Sequence, residues 1–415
     1  MLENNHAIAV AYSVQICQKT IKSIFTVLCL GILFFWPTII FAQQNDLVVS
    51  GWIPWWEASS GIESARQNLD VLDIIYPFVY EIENGTAITP KSDLQEAKWQ
   101  QLFREADQAG VKIIPTIAWF SGTTIHQTLT NNDARMSHIE DIVALVEAGG
   151  YDGINIDYEQ KLADTKLHFS LFLAQLKLAL PADTLLTCAL EARTPPADRF
   201  RTIPDTLVYA NDYLSIGRIC DRVEIMAYDQ GRADWRLNEA RRGAPYSAVA
   251  DTEWVEKVTT LALADIPAEK IQLGIPTYGR VWDVTVAPDW YRDYRSVASL
   301  NTPRMLELAD KYNVVPTRGA SSELVFTYFP DTSPYRVLEA LPAPAGTPSG
   351  YENAARALLF ANMTGREVVV RMASYQDVES MYDKVRLAER LGLGGVAFFK
   401  IDGEEDERIW EQLRH

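Results

Sequence analysis

Tyr151-Asp152-Gly153-Ile154-Asn155-Ile156-Asp157-Tyr158-Glu159 is the stretch on which the fold turns. From Ile154 onward its side chains alternate apolar and polar, the period of a β-strand, whose successive residues point to opposite faces. Ile154, Ile156 and Tyr158 share one face; Asn155, Asp157 and Glu159 share the other. In a barrel, one face of a strand packs on helices and the other looks into the lumen. The isoleucines belong on the helix side. The polar row then points inward and ends in Glu159 at the C-terminal end of the strand, where barrel enzymes place their chemistry.

Working outward, similar apolar runs recur on both sides. They are Leu47–Trp56, Leu72–Tyr80, Val111–Phe120, Gly153–Tyr158, Leu185–Leu190, Val223–Tyr228, Ile271–Tyr278 and Gly395–Ile401. Helical spacing marks Glu96–Ala109, His138–Ala148, Thr165–Leu180 and Ser380–Leu391, each followed by Gly or Pro, residues that end helices. Strands alternating with helices indicate a parallel sheet, and eight of them predict an α/β fold of the (β/α)8 TIM-barrel type. An open doubly wound sheet is the structural alternative. The alternation breaks between Gly279 and Val368, a Pro-rich stretch with the strand-like run Leu324–Phe329. It reads as a small α+β insertion after strand seven, at about 284–367.

The N-terminus reads differently. Lys19 and Lys22 precede an apolar run, Ile24 to Phe41, and Ala42 precedes the polar Gln43-Gln44-Asn45-Asp46. This is the plan of a signal peptide over residues 1–42, with an uncleaved N-terminal anchor as the other reading. Residues 43–415 are then the barrel. Either way the barrel is expected outside the cytoplasm, secreted or in the periplasm or cell envelope. The 415 residues are 48% hydrophobic and 22% charged, enough apolar mass for a large core, and the formal net charge is −17. That charge argues against nucleic acid as a partner. Beyond the leader there are two cysteines, Cys188 and Cys220, and their spacing leaves a disulfide and two buried thiols equally open. His126, His138 and His168 have no metal-ligand spacing, so no metal and no cofactor is expected.

Two carboxyls on one strand face, two residues apart, are separated by roughly 6.6 Å along it. Both do not stay ionised when buried together, so one pKa rises, and Glu159 is the candidate neutral acid near pH 7. The competing explanation is a structural polar cluster that satisfies the barrel top.

The same segment resembles the Asp-Gly-x-x-x-Asp-x-Glu signature of the family 18 glycoside hydrolases, with Asp152, Gly153, Asp157 and Glu159 in register. Met226-Ala227-Tyr228-Asp229 resembles the family's strand-six motif, Leu273–Arg280 its strand-seven motif, and Gly394–Phe399 its strand eight. Text around Tyr375-Gln376-Asp377 and Glu404-Glu405-Asp406 is similar to the spore-cortex and germination-type branch. The resemblance implies a retaining, substrate-assisted hydrolysis of β-1,4-linked N-acetylglucosamine-containing glycans, peptidoglycan or chitin oligomers. By that likeness Glu159 protonates the leaving oxygen. Asp157 orients the substrate's acetamide, Tyr228 hydrogen-bonds it, and Asp229 supports the site. Asn155 stands where many chitinases have another Asp, and Asp152 and Gly153 are structural parts of the motif. Phe399 occupies the place of a usual Trp at the floor of the cleavage subsite. Trp52, Tyr80, Trp119, Glu191, Met226, Tyr278 and Arg280 are the expected substrate contacts. No protein partner is implied. A non-catalytic glycan-binding barrel is the second reading, against which the presence of Glu159 weighs.

Overall fold

The alternating runs close on themselves. The structure, a computed structural model, describes residues 47–83 and 85–414; the leader expected over residues 1–42 lies outside them. The first seven barrel strands are β1 (Val48–Pro54), β2 (Ile74–Glu81), β3 (Thr116–Trp119), β4 (Gly153–Tyr158), β5 (Leu185–Glu191), β6 (Arg222–Met226) and β7 (Ile271–Pro276). A second sheet follows, built of β8 (Tyr278–Ala287), β9 (Trp290–Asn301), β10 (Thr317–Arg318), β11 (Leu324–Tyr328) and β12 (Val368–Tyr375). The last barrel strand is β13 (Gly395–Phe399). The barrel runs β1-β13-β7-β6-β5-β4-β3-β2 and returns to β1, every pair parallel. The (β/α)8 barrel expected from the sequence is the fold observed.

Strand parity divides the interior as the decisive stretch predicts. Ile154, Ile156 and Tyr158 pack outward, and Phe169 and Phe172 of the helix Lys166–Ala179 cover Tyr158. His138, one of the unpaired histidines, sits in the same layer with Nε2 2.6 Å from the Tyr158 hydroxyl. Each fully buried side chain of this kind contributes roughly 1.5–3 kcal/mol. The helix Asn132–Gly149 ends at Gly150, whose φ of 61° is the left-handed conformation that glycine takes cheaply. Asp152 accepts a hydrogen bond from the Ile113 amide (2.8 Å), tying the entrance of β4 to the neighbouring strand. Gly153 has no room for a side chain, since a Cβ there would lie 2.4 Å from the Leu185 carbonyl oxygen.

The lumen is part apolar and part a polar lattice. Asn155 Nδ2 donates to Thr187 Oγ1 (2.7 Å) and Glu224 Oε2 (3.0 Å), while Thr116 Oγ1 donates to Asn155 Oδ1 (3.1 Å). The Tyr76 hydroxyl lies 2.8 Å from both Glu224 Oε1 and Gln272 Oε1. Burial pushes the Glu224 carboxyl up to about 7, against the opposing pull of these hydrogen bonds. Its favourable contribution to folding is therefore complete below pH 4.5 and is lost as pH rises through 7. Glu224→Gln keeps an acceptor for Asn155 and removes the buried charge. It is expected to raise stability at pH 8 by roughly 1–3 kcal/mol and to change little at pH 5. Urea unfolding at the two pH values checks this, and an equal difference at both would contradict it.

Cys188 on β5 and Cys220 at the end of the helix Tyr213–Ile219 are joined, which decides the pairing that spacing left open. With a sequence separation of 32, the bridge restrains the unfolded chain by about 3–4 kcal/mol in a loop-entropy account.

The α+β insertion is present but wider than 284–367. Its sheet is antiparallel, in the order β9-β8-β12-β11-β10, with helices Thr302–Lys311 and Glu352–Thr364. β8 and β12 pair from Gly279↔Tyr375 through Val286↔Val368, so both flanking strands belong to it. The run Ile271–Tyr278 looks like one strand in sequence. The chain breaks it at Thr277, whose amide donates to the Phe399 carbonyl and whose hydroxyl donates to that of Lys400.

Candidate active site

The C-terminal ends of the barrel strands surround a cleft of about 710 Å³ lined by Trp52, Phe78, Asp157, Glu159, Glu191, Met226, Tyr228, Asp229 and Phe399, among others. Asp157 and Glu159 are both there because two residues is one full strand period. The Glu159 amide donates to the Trp119 carbonyl (2.8 Å), holding the chain in register for one residue beyond β4. Gln160 then turns at a φ of 56°.

That turn sends Lys161 back beneath the strand end. Its side chain is only 1% exposed, with Nζ 3.6 Å from Glu191 Oε2. It also donates to the Tyr158 carbonyl and lies over the Phe169 ring. Glu191 in turn accepts from the Gln160 amide (2.8 Å) and from Asn211 Nδ2 (3.0 Å). Lys161 was not singled out in sequence, and a lone Lys after a Glu gives no signal that it is buried.

The charges follow from this packing. Burial, then the adjacent Glu159, raises Asp157 well above the usual carboxylate range; Lys161 works against both. Burial and the neighbouring Glu191 raise Glu159 to about 7, again opposed by Lys161. Burial also acts to raise Glu191, but Lys161, the Gln160 amide and Asn211 outweigh it and leave that carboxyl below its ordinary value. Asp157 thus keeps its proton further up the pH scale than an ordinary carboxyl, Glu159 gives up its own near neutral pH, and Glu191 is the ionised member. Burial keeps the Tyr228 phenol well above its usual range, so it is a neutral donor. Asp157 Oδ1 is buried and accepts no hydrogen bond from the described residues.

Phe399 forms the centre of an aromatic floor. Tyr228 stacks on it at 5.6 Å and 19°, and Trp52 meets its edge at 5.9 Å. Trp52 Nε1 is anchored on Thr116 Oγ1 (3.1 Å). Asp229 is held by Arg280 through Nε (2.9 Å) and Nη2 (2.7 Å). Arg280 and Tyr278 lie on β8, outside the barrel sheet, and with Asp229 and Phe399 they line a hollow beside the main cleft.

Three of the expected site residues are placed elsewhere. Tyr80 does not reach the cleft. A bulge shifts the β2–β3 register between Phe78 and Tyr80, so Tyr80 packs outward and its hydroxyl meets that of Tyr151 at 3.1 Å. The same shift turns Glu81 inward to line the cleft and to accept from Trp55 Nε1 (3.2 Å). Trp119 is fully buried on the helix side, because it pairs with Tyr158 and takes that residue's face. Asn155 faces the lumen as predicted but lies below the cleft, spent on the polar lattice. The sequence missed Phe78, Phe120, Arg193 and Trp254 among the lining residues. Of these, Phe78 and Phe120 had a parity signal, each lying in an apolar run at an even spacing from a lumen-facing residue.

Comparison with known proteins bears on this cleft. A family model described as Glycosyl hydrolases family 18 matches residues 52–404. The chain belongs to this family. Among curated relatives, the Bacillus subtilis (strain 168) protein named "Putative sporulation-specific glycosylase YdhD" is 31% identical over 218 residues, 52% of this chain and 47% of that protein. The "Cortical fragment-lytic enzyme" of Bacillus anthracis is 23% identical over 316 residues, 75% of this chain and 61% of that one. The chain spans about half the length of the first of the curated relatives it matches. Among solved structures, the Bacillus cereus spore cortex-lytic enzyme SleL aligns with a TM-score of 0.63 at 20% identity, covering 89% of this family 18 chain and 74% of that one. At that identity the likeness concerns the fold. Family 18 membership supplies the setting for the Asp157–Glu159 pair.

Proposed function

We propose that this family 18 chain is a glycosidase that hydrolyses β-1,4-linked N-acetylglucosamine-containing glycans with retention of anomeric configuration. The observation that carries the reading is the Asp157–Glu159 pair, two carboxyls on one strand face, both raised above the ordinary carboxylate range by burial, in a cleft floored by aromatic rings. Glu159, raised to about 7, is suited to protonate the glycosidic oxygen at neutral pH. Asp157 lies on the same strand and approaches the sugar from the same side, so it is badly placed to attack the opposite face as a nucleophile. Attack by the substrate's own acetamide oxygen removes that difficulty. Asp157 Oδ1, without a partner among the described residues, is then free to accept the acetamide N–H, and Tyr228 to donate to its oxygen. The aromatic rings around Phe399 offer apolar faces to a pyranose.

The relatives named for cortical fragments and sporulation favour peptidoglycan or its fragments over chitin. Export through the leader-like residues 1–42 belongs to the same reading. Chitin oligomers and purified peptidoglycan, incubated side by side, test it: new reducing ends with the β configuration retained are expected on at least one. No turnover on either, or an inverted product, would overturn it.

Lys161 is a positioning residue in this scheme, the buried cation facing Asp157, Glu159 and Glu191. Lys161→Met is expected to lower kcat roughly 10–100-fold with KM little changed. It should also move the alkaline limb of the rate profile upward, because the charge that opposes carboxyl protonation is gone. Lys161→Arg should recover part of the rate. A pH profile unchanged in the Met variant would remove Lys161 from the acid's electrostatics.

A further inference from the structure

The cleft carries more positive charge on one flank than its acidic chemistry needs. Arg193 lies two residues beyond the end of β5, and Arg199 follows in the helix Pro196–Arg199; both line the cleft. Among the described residues, neither forms an ion pair with a carboxylate, although the chain has a net charge of −17 and carboxylates crowd the same cleft. Arg193 is also held in place. Its guanidinium sits 3.9 Å from the centre of the Tyr209 ring and 4.1 Å from that of Tyr213, and its Nη2 donates to the Asn211 carbonyl (2.7 Å). A guanidinium has five N–H donors in a fixed fork that matches a carboxylate. The two rings and the carbonyl restrain the guanidinium, and a single carbonyl uses only one of its donors. Asn211 also donates to Glu191, so the loop that holds Arg193 also braces the ionised carboxyl beside Glu159.

We propose that Arg193, with Arg199 at the rim, forms a subsite for a carboxylate carried by the glycan. This rests on the glycosidase reading above and narrows it: the substrate is an acidic glycan, and a neutral N-acetylglucosamine chain lacks the group this subsite binds. Two sources have the required chemistry, the lactyl carboxylate of an unsubstituted N-acetylmuramic acid and the acidic residue of a peptide attached to it. A flexible, solvated lysine would attract either without orienting it. The stacked arginine orients it, and that sets which sugar lies over Phe399 beside Glu159.

Calorimetry on the Glu159→Gln protein tests the subsite without turnover. The ligands are chitotetraose, a tetrasaccharide of alternating N-acetylglucosamine and N-acetylmuramic acid with free lactyl carboxylates, its methyl ester, and the same tetrasaccharide carrying an L-Ala–D-Glu dipeptide. A carboxylate ligand should bind about tenfold more tightly than its uncharged counterpart. Preference for the lactyl acid over its ester assigns the sugar's own carboxylate. Preference for the dipeptide form over the ester, with acid and ester equal, assigns the peptide's. The ratio should fall towards one in Arg193→Gln and be only partly kept in Arg193→Lys, which has the charge without the fork. Equal affinity of all four ligands, or a ratio unchanged in Arg193→Gln, overturns the subsite. If wild-type protein still cleaves chitotetraose in that case, the glycosidase reading stands; if no ligand binds and none is cleaved, both fall.

Discussion

Glu159→Gln is expected to lower kcat about 10³-fold while leaving the dissociation constant for an N-acetylglucosamine oligomer within a few-fold of wild type. The amide has the same shape and volume, so the cleft is preserved. It cannot deliver a proton to the glycosidic oxygen, and general acid catalysis of this kind contributes roughly 10²–10⁴ in rate. The same carboxyl sets the pH dependence. Glu159 is raised to about 7 by burial and by Glu191, so it is protonated below that pH and loses its proton above it. The rate should therefore fall about tenfold per unit on the alkaline side. A profile flat to pH 9, or turnover persisting in the Gln variant, would show that another group supplies the proton. Misfolding is separable from lost chemistry here. The raised pKa means that the ionised side chain opposes folding above pH 7, so the neutral variant should unfold at pH 8 no earlier than wild type.

Removing the substrate's N-acetyl group should have a comparable effect from the other side of the reaction. Fully de-N-acetylated oligomers are expected to show no detectable cleavage, although their sugar rings can still stack on the aromatic floor. The physical reason lies in what the cleft offers. Asp157 and Glu159 lie on one strand and reach the sugar from one side, so neither is placed to form a bond to the opposite face. Asp157 Oδ1 is buried and accepts nothing from the described residues, a costly state unless a ligand N–H completes it. The acetamide is the group that would do so, and it would also bring the attacking oxygen. Reducing-end assays on matched acetylated and de-acetylated tetramers decide the matter. Efficient cleavage of the free amine would exclude acetamide participation and return the nucleophile to the protein.

The barrel and its centre could be read from residues because both depend on strand periodicity. Alternation in Ile154–Glu159 placed Asp157 on the lumen side and Tyr158 among the helices, and parallel pairing then fixed the neighbours. The same logic, applied to β3, would have excluded Trp119 from the cleft, since Trp119 and Tyr158 are partners. Tyr80 was beyond that logic. A one-residue bulge reverses parity without leaving a mark in the local sequence, and it exchanged Tyr80 for Glu81 at the cleft wall. Loop residues were equally hidden. Arg193 and Lys161 acquire their roles from the stacking of Tyr209 and Tyr213 and from a left-handed turn at Gln160, contacts set by chain segments distant in sequence or by backbone geometry.

By itself the sequence determined the eight-stranded alternation, the position of Glu159 at a strand end, and its pairing with Asp157, because a strand repeats every two residues wherever it lies. Only the tertiary structure decided which proton affinities result. Those depend on how deeply each carboxyl is buried and on Lys161, a buried cation that the fold brings beneath them. It also joined Cys188 to Cys220 and set Arg193 in the cleft, since both require segments that meet only when the barrel closes.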